Sequence, residues 1–291
     1  MKRAEPAIKR FSAYLKRRNY AAHTIVNYTL DLRLFFADQT AAPAKITYRE
    51  IDAFVDKQLE QGLAATTRNR RLHALRHFFE FLLEEQEVAG NPVKASHFAR
   101  LGRPLPRALS KDQVEALFAQ VKHPMDKALF LMMLRGGLRV SEVVHLKRQH
   151  LDFDEGAVWI EQGKGKKDRR VLVSADTVAS LKACLELRPK GVPCDAVFWN
   201  RKRPLAPLSV KAVQKKMERC ARAAGIEATC QQLRHTFASN LLEHGAELVT
   251  VKELLGHASM GTSERYARVS NQRVKQEYMR TMKKVLKDNK I

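Results

Sequence analysis

The sequence lacks the features that mark membrane-spanning, secreted or zinc-binding proteins. Its 291 residues contain no apolar run of about 18 residues, which excludes a conventional transmembrane helix. The first residues are basic but lack the apolar stretch of a signal peptide, so we expect none. The 4 cysteines show no C-x-x-C spacing, which predicts neither a disulfide framework nor a zinc site. This cysteine usage is typical of the reducing cytosol.

Acidic residues are also few compared with basic ones. The chain has 31 Asp and Glu against 53 Lys and Arg, a net charge of +22. Hydrophobic residues make up 45%, so the chain has enough apolar material to fold. A globular protein this basic typically binds a polyanion, and nucleic acid is the first candidate. An acidic membrane surface is the second candidate. Membrane binding needs an apolar helix face that is free to enter lipid, and we expect the apolar stripes of this chain to pack internally instead.

Helical spacing dominates the first hundred residues. Four apolar patterns recur with a period near 3.6, beginning around Ile8, Ile25, Ile51 and Leu72. Thr47 and Glu50 have the spacing of a capping box ahead of the third pattern. We therefore predict a helical domain over residues 1–92.

Three prolines and several basic residues then interrupt the periodicity, which predicts a basic linker over residues 93–107. A second domain is predicted over 108–291, opening on Ser110 and Gln113 at capping-box spacing. Gly136-Gly137 should end a buried helix there, and Val158–Ile160 and Val171–Val173 should pair as a hairpin with a basic tip. The remainder reads as helices, so the fold class is mainly α with a small β-hairpin or sheet in the second domain.

Four clusters of residues suggest chemistry. They are Gly137–Glu142, the hairpin tip around Lys164, Gln231–His235, and Leu254–His257 followed by Tyr266. Each alone has an ordinary structural explanation, such as a surface charge, a solvated turn, a helix cap or a half-buried ring. The hairpin tip also lacks the strand–helix context of a Walker loop.

Together the clusters suit phosphoryl transfer. Two arginines and a lysine can neutralise the negative charge that develops on a reacting phosphate. A tyrosine can attack phosphorus and hold it covalently, while a lysine protonates the leaving oxygen. No carboxylates with metal-ligand spacing occur, so we expect neither a metal nor another cofactor.

The order and spacing of these clusters resemble the tyrosine recombinase (phage integrase) family, most closely its Xer-like and transposon-resolvase-like members. The strongest match is L-R-H-T-F-A-S-N-L-L-E-H-G-A, then L-L-G-H-A-S, then Tyr266. The match covers about residues 110 to 270, and the helical first domain resembles the SAM-like core-binding domain of that family.

The resemblance implies a role for each residue at the site. Arg139 and Arg234 would grip the scissile phosphate, and Lys164 would be the general acid for the 5′ oxygen. His257 would donate a hydrogen bond to the phosphate, and Tyr266 would be the nucleophile that forms a 3′-phosphotyrosine. Glu142 and His235 would support the arginines.

Position 231 departs from the family pattern. The family usually has histidine there, and this chain has Gln231. Glutamine can donate to a phosphate oxygen but cannot take up a proton at neutral pH. We predict that Gln231 keeps the phosphate contact and that the enzyme is active, either because the general-base role is dispensable or because water or another group fills it. The alternative is a silent DNA-binding clamp.

Basic residues outside the site are candidates for DNA contact. Arg68, Arg70, Arg71 and Arg76 lie on one predicted helix of the first domain, and Lys166 and Lys167 flank the general acid. A second basic helix, residues 209–224, carries Lys211 and Lys215 together with Lys216, Arg219 and Arg222. Arginine can read guanine or simply hold phosphates, and the sequence does not separate these roles.

The resemblance also implies partners and a biological setting. These are double-stranded DNA with inverted-repeat core sites, a cyclic homotetramer that exchanges its C-terminal segment between protomers, and a location on the nucleoid in the cytoplasm. A partner recombinase in place of some copies of this chain stays open, and no membrane is involved. The first helix begins near Met1, so we expect no additional arm-binding domain, and resolution of DNA dimers or transposon cointegrates fits. A small mobile-element integrase and a topoisomerase-like relaxing activity stay open as alternatives.

Overall fold

The computed structural model describes residues 3–102, 108–161, 169–190, 195–256 and 271–288. The chain divides into two compact units, Met1–Pro104 and Leu105–Ile291. Both consist mainly of α-helices, and the second also contains two small antiparallel sheets. The predicted fold class is confirmed. Within the described ranges no helix is both long and apolar enough to cross a membrane.

Four α-helices form the first unit, and each turns an apolar face toward a shared interior. They are α1 (Glu5–Arg17), α2 (Ala22–Ala37), α3 (Tyr48–Glu60) and α4 (Ala65–Glu84). Phe11 meets Phe78 edge to face with ring centroids 5.5 Å apart, and Phe35 meets Phe54 in the same way at 5.1 Å. This geometry brings the positive ring edge against the negative ring face, which adds to the gain from burial.

Two helices begin at the predicted capping boxes. The Thr47 backbone N–H donates to Oε2 of Glu50 at 2.7 Å at the start of α3. Ser110 and Gln113 form the corresponding pair in the second unit, with the Gln113 N–H donating to the Ser110 hydroxyl at 3.2 Å. Each box satisfies N–H groups that a helix leaves without partners, which explains why the helices begin there.

The first residues of the predicted linker lie against the first unit. Val93 is buried in its core, and the Phe98 ring lies 4.7 Å from the His73 ring. The Asn69 side chain donates to the Ala99 carbonyl at 2.8 Å and accepts from the Ala99 N–H at 2.9 Å. An amide side chain can thus satisfy both polar groups of a backbone that has no strand partner.

The second unit surrounds a helix that is buried on all sides. Helix α6 is entirely apolar from Ala128 to Leu134, and these side chains form the centre of the larger core. The helices of this unit are α5 (Lys111–Ala119), α6 (Pro124–Leu134), α7 (Val140–Val144), α8 (Ala175–Glu186), α9 (Val210–Ala223), α10 (Cys230–Glu243), α11 (Leu248–Leu255) and α12 (Asn271–Asp288).

The predicted hairpin is confirmed as two strands of a three-stranded sheet. Strand β2 (Ala157–Ile160) pairs antiparallel with β3 (Arg169–Leu172), and a short β1 (Leu151–Asp152) lies on the other side of β2. The basic tip lies outside the described residues. Strand β1, helix α7 and the second sheet, β4 (Trp199–Asn200) with β5 (Arg203–Pro207), were not predicted from the sequence. The two residues of β1 and of β4 are too few to show a period of two.

The C-terminal helix α12 packs on its own unit. Its apolar stripe of Tyr278, Met282 and Val285 is buried against α10 and α11. The Tyr278 hydroxyl donates to the backbone carbonyl of Arg135 at 2.9 Å, and Glu277 accepts from the Glu247 N–H at 2.6 Å. The stripe therefore has an intramolecular partner in the isolated chain.

Candidate active site

The turn after α6 delivers the first predicted arginine. The helix break predicted at Gly136-Gly137 is confirmed, and Gly137 has a φ of +65°, where residues with a Cβ are strained. Arg139 then stands at the N-cap of α7, and its backbone N–H donates to Oε2 of Glu142 at 2.7 Å. The turn thus orients both the arginine and the carboxylate that follows it.

Arg234 reaches the same place from α10. Its side chain is buried, and its two Nη atoms donate to the backbone carbonyl oxygens of Gly137 and, at 2.6 Å, of Leu255. Nη1 of Arg234 lies 3.9 Å from Oε2 of Glu142. The fold therefore brings together Arg139 and Arg234, which stand 95 positions apart in the numbering.

Glu142 is the centre of this arrangement, and a third arginine shares it. Nη1 of Arg139 donates to Oε1 of Glu142 at 2.8 Å. Arg169 donates from Nη1 to Oε1 and from Nη2 to Oε2, both at 2.8 Å, in a bidentate pair. Arg169 was not predicted from the sequence. Its parity in β3 matches the buried Val171, but Arg170 matches the equally buried Leu172, so the strand pattern does not single it out.

The charges of the cluster leave it cationic. Burial of Arg234 and the neighbouring Arg139 lower the pKa of the Arg234 guanidinium to about 10, which leaves it protonated at neutral pH. Burial raises the pKa of the Glu142 carboxyl, but the hydrogen bonds from Arg169 and Arg139 outweigh burial and hold this pKa below its usual value. Three guanidinium groups thus face one carboxylate, and the two unbalanced positive charges suit a phosphate.

Gln231 and His235 continue the site along α10. Gln231 precedes Arg234 by three positions and His235 by four, so both residues are neighbours of Gln231 on the helix surface. Gln231 is exposed, His235 is half-buried, and Nε2 of Gln231 lies 3.5 Å from Nε2 of His235. An exposed amide one helical turn before Arg234 is placed to donate to an anion that Arg234 binds.

The remaining predicted site residues lie outside the described ranges: Lys164, Lys166, Lys167, His257 and Tyr266. Two of them adjoin described elements in the sequence, since the Lys164 segment joins β2 to β3 and His257 follows Gly256. Over the described ranges, no group of three His, Cys, Asp or Glu side chains is placed to hold a metal ion.

Among the predicted DNA contacts of the first unit, Arg70 and Arg76 are exposed on α4. Arg70 forms a bidentate pair with the buried Asp31, with Nη2 of Arg70 3.0 Å from Oδ1. Burial raises the pKa of Asp31, against the hydrogen bond from Arg70. Nε of Arg76 lies 3.3 Å from Oε1 of Glu80 in an exposed pair one turn along the helix.

The other two arginines of α4 are half-buried and already have partners, which for Arg71 include the Asp31 carboxylate, 3.9 Å from Nε. Arg68 donates to the backbone carbonyl of Leu63 at 2.5 Å, and Arg71 donates to the side chain of Gln58 at 3.2 Å. They are less available to DNA than the exposed pair on the same helix.

On α9, Lys211 and Lys215 are exposed as a DNA-binding face requires. Lys216 is not, and its predicted place on that basic face is wrong. Its side chain is buried, and Nζ lies 2.7 Å from Oδ1 of Asp126. A buried cation needs such a partner, because desolvation without one is costly.

Comparison with known proteins agrees with this geometry. Residues 107–273 match the model of the phage integrase family, and residues 8–86 match that of the phage integrase N-terminal SAM-like domain. The chain is 33% identical to tyrosine recombinase XerC of Halalkalibacterium halodurans, over 93% of this chain and 95% of the relative. It is 32% identical to tyrosine recombinase XerA of Pyrococcus furiosus, over 92% and 91%.

A solved structure of a lambda integrase tetramer bound to a Holliday junction has the same fold. The TM-score is 0.71 at 20% identity, over 88% of this chain and 77% of that one. The resemblance inferred from the sequence motifs is therefore confirmed, and this protein belongs to the phage integrase family, as a relative of the Xer tyrosine recombinases.

Proposed function

We propose that this protein is a site-specific DNA recombinase that cuts and rejoins strands by transesterification through Tyr266. The observation that carries the proposal is the cationic cluster around Glu142. It joins Arg139 and Arg234, at the positions where the family motifs have their phosphate-binding arginines. A passive DNA-binding surface needs exposed charge. The burial of Arg234 between two backbone carbonyls instead favours a precisely oriented phosphate site.

The reaction conserves bond energy by exchanging one phosphoester for another. The Tyr266 hydroxyl oxygen attacks the phosphorus, forming a 3′-phosphotyrosine as the bond from phosphorus to the 5′ oxygen breaks. Lys164 donates a proton to that leaving oxygen, and the tyrosine proton passes to water, because Gln231 cannot accept it. Attack by a 5′ hydroxyl of another strand reverses the step and rejoins the DNA.

The arginines act on the transition state. Negative charge accumulates on the oxygens of the five-coordinate phosphorus, and guanidinium groups held in advance stabilise it without reorganising. Gln231 adds a neutral hydrogen-bond donor, and His257 adds a second. His235 supports the cluster from the same helix, next to Arg234.

A nicked suicide substrate tests the proposal. The nick lets the short 5′-hydroxyl fragment diffuse away, so the covalent complex accumulates and is counted on a denaturing gel. We expect an adduct with the parent protein and none with Tyr266→Phe, which lacks only the nucleophilic oxygen. If the parent protein binds this DNA well and forms no adduct, the chain is a DNA-binding clamp and the enzymatic proposal is wrong.

We extend the proposal to the assembly and its setting. The active form is a homotetramer on two synapsed inverted-repeat core sites in the cytoplasm, with α12 docking on the neighbouring protomer. The lambda integrase tetramer on a Holliday junction supports the assembly through its shared fold. The intramolecular contacts of α12 would then exchange for equivalent contacts between protomers. Sedimentation on synapsed DNA tests this, since a complex no larger than a dimer would contradict it.

Resolution of DNA dimers or cointegrates is the role we favour. A plasmid with two directly repeated copies of the site, incubated with the protein, should give two smaller circles. Insertion of a free circle into a second DNA, in preference to resolution, would indicate a mobile-element integrase instead. Relaxation of supercoils without dependence on a site would indicate topoisomerase-like activity.

A further inference from the structure

Arg169 joins three segments of the candidate site. It is the first residue of β3, directly after the segment that carries Lys164, and its side chain is 14% exposed. Both its Nη atoms bond to the Glu142 carboxylate at 2.8 Å. A β-carbon at Gly256 would lie 2.8 Å from Cδ of Arg169, so the arginine passes where only glycine leaves room. Gly256 ends α11 and precedes His257.

We propose that Arg169 is a positioning residue that keeps the Glu142 carboxylate from withdrawing the two phosphate-binding arginines. This inference rests on the proposed function. Its physical basis is competition for hydrogen bonds, since each N–H that Arg139 or Arg234 gives to Glu142 is unavailable to a phosphate oxygen.

The distances show what Arg169 prevents. The Arg169 guanidinium bonds to both oxygens of Glu142, whereas the Arg139 guanidinium makes one bond at 2.8 Å and Nη1 of Arg234 stands at 3.9 Å. Without Arg169 the carboxylate would turn toward these two cations, the nearest remaining partners. The cluster would lose one positive charge, and the remaining two guanidinium groups would be drawn to Glu142 instead of the substrate.

Lysine cannot replace Arg169 in this role. The planar guanidinium presents two parallel N–H groups that match the two carboxylate oxygens, whereas an ammonium is a point charge that binds one site at a time. Arg169→Lys therefore keeps the positive charge but loses the pair of parallel hydrogen bonds to the Glu142 carboxylate.

The test compares Arg169→Met with Arg170→Met, its neighbour in β3. Arg170 pairs with Glu155 at 3.1 Å on the exposed side, so its loss removes a charge of the same strand without touching Glu142. The readouts are the single-turnover rate of adduct formation on the nicked substrate and the affinity for that DNA. We expect Arg169→Met to slow the adduct about 100-fold, the scale of a misplaced catalytic group. The affinity of Arg169→Met for the nicked DNA should stay near that of the parent. The rate of adduct formation by Arg170→Met should also stay near that of the parent.

A double-mutant cycle separates positioning from a purely structural role. In a Glu142→Gln background the competing charge is gone, so Arg169→Met should slow adduct formation by a much smaller factor than it does in the parent. The same fold-loss of rate in the two backgrounds, or a parent-like rate for Arg169→Met, would overturn the proposal. If the methionine variant does not fold, Arg169→Lys enters the same cycle. If the parent protein forms no adduct, the proposed function is wrong and the role of Arg169 fails with it. If the parent and Arg169→Met form the adduct at the same rate, only the role of Arg169 is wrong.

Discussion

Phe237 of α10 lies so close to Gly137 that a β-carbon at the glycine would stand 2.5 Å from Cδ1 of the ring. This approach brings α10 against the turn after α6. One helical turn earlier, Arg234 then reaches the Gly137 carbonyl. The absence of a side chain at one residue thus decides where a phosphate-binding arginine can stand.

Gly137→Ala should be far more destabilising than Gly225→Ala. Both glycines have nearly the same positive φ, +65° and +68°, which costs a residue with a Cβ about 1–2 kcal/mol. Gly225 has open space around it, whereas at Gly137 the new methyl group overlaps Phe237 and adds about 1–3 kcal/mol. Both tryptophans, Trp159 and Trp199, lie in the second unit, so their fluorescence in urea reports its unfolding. If both variants lost the same free energy of unfolding, the Phe237 ring would have to move aside at no cost.

Gln231→Ala should slow strand cleavage roughly 10- to 100-fold, the effect of losing a hydrogen bond to a charged group. Gln231→His restores a donor and should stay close to the parent rate. The measurement is single-turnover adduct formation on the nicked substrate. A parent rate for the alanine variant would mean that Gln231 does not contact the phosphate.

Glu142 should make the second unit acid-sensitive. Its carboxyl has a pKa below the usual value of 4.5 in the folded protein, so the unfolded chain binds this proton more tightly. The stabilisation is complete above about pH 4.5 and is lost as the pH falls through the lower folded pKa. Glu142→Gln has no such proton, so its free energy of unfolding should fall less steeply below about pH 4.5. Urea titrations by tryptophan fluorescence measure both slopes, and parallel slopes would contradict the assignment.

Arg70→Ala should destabilise the first unit more than Arg76→Ala, although both substitutions should weaken DNA binding. Removing Arg70 takes the bidentate partner from the buried Asp31, which should cost about 1–3 kcal/mol. Removing Arg76 breaks only an exposed pair with Glu80, worth about 0.3–0.5 kcal/mol. Hydrogen exchange of peptides from α4 measures the difference. Both variants should bind DNA more weakly at low salt, and unchanged binding would remove α4 from the interface.

The helices of this protein are readable in its sequence because their signals are local. Apolar residues at a period of 3.6 predicted the helices of the first unit. Thr47 marked the beginning of α3 in that unit correctly, and Ser110 marked the beginning of α5 in the second unit. The phosphate-site motif around Arg234 is also local, since its neighbours lie within one helical turn. Strands β1 and β4 were missed because two residues carry no period.

The contacts that organise the candidate site are not local. Glu142 and Arg169 are 27 positions apart, and Arg70 and Asp31 are 39 apart, so no spacing rule relates them. The same limit misplaced Lys216, whose partner Asp126 lies 90 positions away. A sequence shows which residues are charged, but only packing decides which charges lose their water and must be paired.

The sequence by itself determined the helical framework, the excess positive charge and, through its motifs, the family of this protein. The tertiary structure decided how that charge is distributed. It buried Arg234 between two carbonyls, paired Glu142 with Arg169 as well as Arg139, and left Gln231 exposed one helical turn before Arg234. The physical reason is that periodicity and capping depend on neighbours along the chain. The interaction energy between two charges depends instead on how far the folded protein excludes water from them.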